Sequence, residues 1–474
     1  MRRQIFPCLI AFFLLLTCWS FSSPIGSGVD TEYHLASIWC AWGEKGGLCE
    51  NENSLTSTGD VPFMFHFCNG RNVDYWPYCE TPSTQPETQS LRHAGPNQMS
   101  FYYKIMHVFA SENVNQSVLL IRLINSLLAV IVTFLLLTIT NFRIRNAALA
   151  GLTFSIIPLA IQYFAGINPR GWAVLGVITS WAFLSSYIRT PKEQKLIRRL
   201  QLASFVFTAA LALFTRIDAA VMVIITSLFV FIGFRIKETS LAKQNLLVFA
   251  LFGGVLSALM AFSPRIAGLF SINIPFDFGR FQYLIFSIVH IPEFVTDWWG
   301  YHVGQQGNGP GLVGILGLSL FAVALAFSLQ NSDLQQRLMV GAFSLITFVL
   351  LMKSTLATGS LIPLNGAYTL GMAGPWLGIS IAFSRSKLQF MSSIGNRKVV
   401  IALLSFAHAI SFYSWMEFYT KKGKGLGFYQ HLSLDGTWWW DTWISPNFVF
   451  ISGALLFPVF LTYAWKSIPL DLPE

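Results

Sequence analysis

The sequence predicts an all-α polytopic membrane protein with about twelve transmembrane helices and a long first exported loop carrying interfacial helices. Three observations carry this reading. Only 11% of the 474 residues are charged and 54% are hydrophobic, where a soluble domain carries roughly 25% charged residues. Apolar runs of about 20 residues recur along the chain, each long enough to cross a hydrocarbon core of roughly 30 Å. Alternating segments of about 10 residues, the mark of a transmembrane barrel, are absent. The third observation is where the cations sit. The net charge is +9, but Lys and Arg gather in short connections such as Arg143/Arg145, Lys192/Lys195/Arg198/Arg199, Arg235/Lys237/Lys243 and Arg385/Lys387/Arg397/Lys398. That is positive-inside topology and requires no nucleic-acid partner.

Taken in order, residues 1–22 read as an uncleaved signal-anchor helix with a cytoplasmic N-terminus after Arg2-Arg3. Ser22-Ser23-Pro24 is not a convincing cleavage site, and Thr17 before Cys18 fits a lipobox poorly. Residues 23–117 form the first exported loop, with an interfacial helix and Cys40, Cys49, Cys68 and Cys79. Four cysteines on an oxidising side point to two disulfides. Three pairings exist, and the sequential one, Cys40–Cys49 with Cys68–Cys79, closes the shortest loops. Spans then read as 118–140, 147–165, 171–188, 199–214, 217–234 and 245–262, which makes 118–262 the block of helices two to seven. Residues 263–309 form a second exported loop, whose 281–299 part suits an interfacial helix. Spans 311–329, 338–352, 369–383, 399–416 and 446–465 complete residues 310–474, with a Trp-rich exported loop at 417–445. Both termini are then cytoplasmic, and the expected location is the plasma or inner membrane.

Of the 22 acids, all but Glu193, Glu238, Asp333, Asp471 and Glu474 fall on the exported side. Acids orient helices weakly, so chemistry is expected at that face. Asp30-Thr31-Glu32-Tyr33-His34 concentrates ionisable groups where the first span ends. Asp30 and His34 share a face if a helix starts there, and Leu35, Ile38, Trp39 and Trp42 form one apolar stripe. An amphipathic helix lying on the membrane follows, with Asp30 either a plain N-cap or a general base toward an acceptor hydroxyl. Glu32 and His34 are then supporting groups. If a divalent cation, Mg2+ or Mn2+, is needed at all, Asp30, Glu32 and His34 are its candidate ligands.

Further along, Gly166-Ile167-Asn168-Pro169-Arg170-Gly171 is a tight turn whose Arg170 either snorkels or reads a phosphate. Thr215-Arg216-Ile217-Asp218 joins two spans on the same face, either as an internal ion pair or as a phosphate contact. Arg122 and Asn125 near the start of the second span carry the same two readings. The Gly-rich stretch 300–311 around His302 is a substrate-covering loop or a connector, and it lacks the Lys of a P-loop. Trp438-Trp439-Trp440 forms an interfacial belt, in which Trp439 could stack on a sugar. His408 reads as a packing residue hydrogen-bonded to a neighbour.

In this order these motifs resemble a bacterial membrane-protein family, domain of unknown function 2142, which is grouped with the GT-C glycosyltransferases. Asp30…His34 stands where the family shows Asp-Glu-x-x-His, and Asn168-Pro169-Arg170-Gly171 where it shows Asn-Pro-x-Gly. His408-Ala409, Trp438-Trp439-Trp440 and Ser445-Pro446 extend the resemblance over nearly the whole chain. Two places depart: Thr31 replaces Glu, and Asn365-Gly366-Ala367-Tyr368 stands where the family shows Gln-x-Arg-Tyr, leaving Tyr368 without the Arg. The resemblance implies a GT-C-like fold that transfers sugar from a polyprenyl-phosphate donor to an envelope glycan or lipid. Asp30 would be the base, and Arg122, Asn168, Arg170, Arg216, Asp218, His302, Tyr368 and Trp439 would be substrate contacts. A lipid-linked glycan transporter would place ionisable groups deep in its spans and show an internal repeat; neither is evident beyond His408. A non-catalytic envelope scaffold is the remaining alternative.

Overall fold

A computed structural model of the chain describes residues 2–25, 27, 31–43, 48–53, 58–61, 89–92, 101–237, 311–330, 332–335, 337–345, 370–383, 394–420, 432, 438–440 and 442–466. Elements are numbered among these. Helix α1 (Arg2–Phe21) is followed by the short α2 (Thr31–Trp39). A small sheet then appears, of β1 (Glu50–Asn53), β2 (Thr58–Val61) and β3 (Gln89–Arg92). Helix α3 (Phe101–Met106) leads into α4 (Val114–Ile139). Then come α5 (Phe142–Thr153), α6 (Pro158–Phe164), α7 (Arg170–Arg189), α8 (Lys195–Leu213) and α9 (Ile217–Lys237). Helices α10 (Gly311–Gln330), α11 (Ala373–Phe383), α12 (Ile394–Thr420) and α13 (Pro446–Lys466) complete the set.

The described bundle is helical, as expected. Six helices, α1, α4, α7, α8, α12 and α13, are long and apolar enough to cross a membrane, and a seventh span results if α5 and α6 are counted as one. Twelve spans are thus not established: 245–262 lies outside the described residues and 338–352 lies partly outside them. Helix α7 is the hub, packed against α8, α9, α4, α5 and α6, and its span window is 94% buried. Around it, α1 packs on α13 and α4, with Phe12 stacked on Phe460 at 4.8 Å. Many hydroxyls in the spans are satisfied locally, although Ser180 and Ser185 Oγ in α7 have no hydrogen-bond partner among the described residues. Thr133, Thr179 and Thr208 each donate to the carbonyl four residues back, which answers the need to leave no polar group bare in lipid.

Three expectations are corrected here. The span 147–165 is a helix pair bent by 100° between Thr153 and Pro158. Pro158 has no N–H to continue a helix and pushes Ile157 to extended backbone (φ −107°, ψ 165°). The helix expected to lie on the membrane forms at Thr31–Trp39, but residues 34–41 are all buried. It packs on α3 and the sheet, so its apolar stripe meets protein. Trp42 falls past the helix end and is 63% exposed, with the Lys104 ammonium over its ring. Finally, α12 runs on to Thr420, so Glu417 is a buried residue of a helix rather than part of a loop.

The antiparallel sheet, in order β1-β2-β3, was not foreseen. Its strands pair Glu50 with Asp60 and Asp60 with Ser90. Cys40 and Cys49 form the expected disulfide, with Cα atoms 5.2 Å apart. It ties the end of α2 to the start of β1. Cys68 and Cys79 lie outside the described residues, as do residues 263–309.

Candidate functional site at one end of the bundle

The C-terminus of α1 organises this end. The last carbonyls of a helix have no partner within it and carry its partial negative charge. Here they receive Arg122 from α4: Nη1 donates to Ser20 O and Ser23 O at 2.8 Å each, and Nη2 to Pro24 O at 2.7 Å and Ser27 Oγ at 3.2 Å. Trp439 and Trp440 both donate their indole N–H to Phe21 O. Arg122 and Trp439, expected to contact substrate, therefore hold the end of α1. Arg122 has spent both η nitrogens on fixed acceptors and has none left for a phosphate.

A second network fixes the turn before α7. Asn125 Nδ2 donates to Gly166 O at 2.7 Å and to Tyr102 Oη at 3.0 Å, while its Oδ1 accepts from Trp172 Nε1 at 2.9 Å. Tyr102 in turn donates to Ile167 O at 2.7 Å. Asn168 Oδ1 accepts from Arg170 N at 2.9 Å, and Arg170 Nη1 donates to Tyr163 Oη at 3.1 Å. Gly171 is required at its position, because a Cβ there would stand 2.4 Å from Tyr163 O. The motif noted for its proline and arginine thus works through its amide and its last glycine too.

The turn separates two clefts. One is a shallow groove with Arg170, Arg216 and Asp218 beside Ala173, Val174, Val177, Met222 and Gly371. Arg216 Nε donates to Asp218 Oδ1 at 2.9 Å, with about a quarter of its side chain exposed. The other cleft lies between the end of α1, α6 and the turn. Thr31 lines it, and its hydroxyl donates to Ser27 O.

His34 is buried in α2, and its Nδ1 meets Tyr103 Oη at 2.8 Å. Burial pushes its pKa down to about 3, aided by the Arg170 and Arg216 cations. Burial likewise raises the Tyr103 phenol, which stays protonated. His34 is therefore neutral and lies within the field of both arginines. Its Nδ1 is already engaged, and among the described residues no three His, Cys, Asp or Glu side chains gather as a metal needs. Asp30, the side chain of Glu32, His302 and Tyr368 lie outside what is described. His408 is the packing residue expected: its Nε2 accepts from Trp19 Nε1 at 3.1 Å, and its ring stacks on Phe457 at 4.2 Å.

The described candidates His34, Asn168, Arg170, Arg216 and Asp218 thus gather at one end of the bundle, at the start of α7 and the α8–α9 junction with His34 of α2 beside them. Residues 13–268, which contain all of them, match a family described as Predicted membrane protein (DUF2142). The chain belongs to this family. The match stops at residue 268, so the resemblance is shown over residues 13–268 and the C-terminal motifs around Tyr368, His408 and Trp439 lie beyond it. No curated protein and no solved structure matches. With its family and its apolar helices the protein is a membrane protein embedded in the bilayer.

Sequence reasoning missed Tyr103 and Tyr163 at this end. Aromatic residues are common in such a chain, and neither of these stands in a spaced motif.

Proposed function

We propose that this member of the family is a GT-C-type glycosyltransferase, moving a sugar from a polyprenyl phosphate to an envelope glycan or lipid at the outer face. The observation that carries the reading is the cleft of Arg170, Arg216 and Asp218. Two guanidinium groups stand at the head of a slot walled by Val174, Val177 and Met222, which suits a phosphate and the first units of an apolar tail. The Cys40–Cys49 bridge supports placing this end on the oxidising side. There nucleotide sugars are absent and a lipid-carried donor is required. The cytoplasmic location of both termini, and the plasma membrane as host, belong to this proposal.

In the step proposed, an acceptor hydroxyl attacks the sugar C1 and its proton passes to Asp30. The C1–O bond to phosphate breaks, and polyprenyl phosphate leaves with the bonding electrons, its charge met by Arg170 and Arg216. No metal is assigned to the step. Buried ionisable groups in the spans speak against a transporter, because Arg122 and His408 are pinned by fixed partners.

The test is transfer in proteoliposomes from polyprenyl-phosphate-linked sugars. Asp30→Asn should abolish transfer with insertion unchanged, and Arg216→Gln should lower kcat/KM about tenfold or more, roughly 1.4 kcal/mol. Full activity in Asp30→Asn would sink the base assignment.

A further inference from the structure

At the site end Trp42, Phe101, Val108 and Phe214 form an exposed apolar patch, and we infer that it docks on the lipid headgroup region of the adjoining leaflet. The inference rests on the embedding of the spans in the bilayer and is independent of the proposed transfer. It starts from α8, where the exposed Leu200, Phe207 and Phe214 recur every seven residues and so share one face of the helix. That stripe faces lipid, and Phe214, which ends the helix, marks where it reaches the bilayer boundary. Phe101, at the start of α3, is tied to this point. Its N–H donates to Phe214 O at 3.3 Å, and the two ring centroids lie 6.1 Å apart. From there the chain runs through α3 and the 3-10 turn His107–Phe109 to Val114, where the span α4 begins. Both ends of the segment 101–109 therefore lie at the boundary.

The two faces of this segment differ. Tyr102, Tyr103, Met106 and His107 are buried. Tyr103 Oη meets His34, and His107 Nδ1 donates to Ile38 O at 2.8 Å, so this face grips α2. The opposite face carries Phe101 and Val108, 55% and 74% exposed. Trp42 extends it, with Lys104 Nζ 5.3 Å from its ring centroid. An indole under an ammonium, beside phenylalanine and valine, has the make-up of a headgroup-level anchor. The apolar groups enter the acyl boundary while the ammonium stays among lipid phosphates. Two features select a lipid surface over a soluble partner: continuity with the lipid-facing stripe of α8, and a cation where phosphate lies. Arg216 follows Phe214 by two residues, so docking here seats the arginine groove at headgroup depth.

The test places a benzophenone amino acid at Trp42, Val108 or Phe207 of the full chain, in nanodiscs of phosphatidylcholine and phosphatidylglycerol. Photo-adducts are read by mass spectrometry. Phe207, on the lipid-facing stripe of α8, sets the yield of a lipid contact. Trp42 and Val108 should both give phospholipid adducts at a comparable yield. Loss of the lipid adduct at either position, with Phe207 still labelled, overturns the inference. So do crosslinks from Trp42 or Val108 to another segment of the chain or to a second copy in place of lipid. The unaltered chain provides a second reading that no folding defect can blur. Hydroxyl radicals generated in the water phase should leave Phe101 protected in nanodiscs as fully as Phe207. Oxidation of Phe101 while Phe207 stays protected would show that the patch faces water and overturn the docking.

Discussion

Arg122 illustrates how a residue's chemistry is decided by what reaches it. In the sequence it is a lone cation near the start of a span, open to either a phosphate or an internal partner. Its partners prove to be the carbonyls at the end of α1, where a helix terminus carries partial negative charge and a planar fork can serve several acceptors at once. Hydrogen bonds to a charged group are worth about 1.5–3 kcal/mol each. Arg122→Gln should therefore lower the thermal unfolding midpoint in detergent markedly, and Arg122→Lys should rescue only part of the loss. A variant that unfolds normally and loses only transfer would return Arg122 to the substrate. His34 yields a second prediction. Its folded pKa near 3 lies below the ordinary 6.5, so between these values the unfolded chain binds the extra proton and stability rises with pH. The midpoint should climb from pH 3 to 6.5 and flatten above, and His34→Gln should reduce that slope.

At the scale of elements, the informative feature is the break between α5 and α6. Pro158 ends any continuous span there, and the chain turns by 100° to bring α6 and its Tyr163 under the turn that bears Arg170. Helix α5 then packs closely on α11. At Gly151 an added Cβ would stand 2.4 Å from Gly374 O, and small residues are what allow backbones in a membrane to approach so far. Gly151→Ala should cost about 1–3 kcal/mol by overpacking, read as a lower unfolding midpoint. The disulfide acts on another element. Cys40–Cys49 closes a short loop, for which chain entropy predicts about 2–3 kcal/mol. Replacing both cysteines by serine should lower the midpoint accordingly, and reductant should then have no further effect through this pair.

For the whole molecule, Lys and Arg such as Arg143, Arg145, Arg198 and Arg397 gather at the end away from the site, the arrangement that the proposed orientation would give by positive-inside insertion. The helix ends at Phe21, Val114, Arg170, Leu213, Ile217, Thr420 and Pro446 belong to the site end. Arg198, whose Nη1 donates to Thr190 O, and Arg397, which donates to Trp465 O, belong to the other. A phosphatase reporter, active only outside, should be active when inserted at Glu112 and silent at Pro191. The reverse pattern would move the arginine slot to the cytoplasm and remove the argument for a lipid-carried donor.

By itself the sequence determined that the chain is a helical membrane protein and where several of its helices begin and end, and it favoured the Cys40–Cys49 pairing that the structure shows. These follow from local quantities: apolar length, proline and glycine placement, and spacing between cysteines. It also singled out Arg170, Arg216 and Asp218 as a group on one face. Only the tertiary structure decided what each polar residue does. Arg122 and Trp439 became partners of a helix end, His34 became neutral through burial, and the helix after the first span turned out to be covered by protein. Each of those outcomes depends on backbone carbonyls or neighbours contributed by segments as far apart as residues 20 and 440. A one-dimensional pattern carries no record of which distant carbonyl lacks a donor.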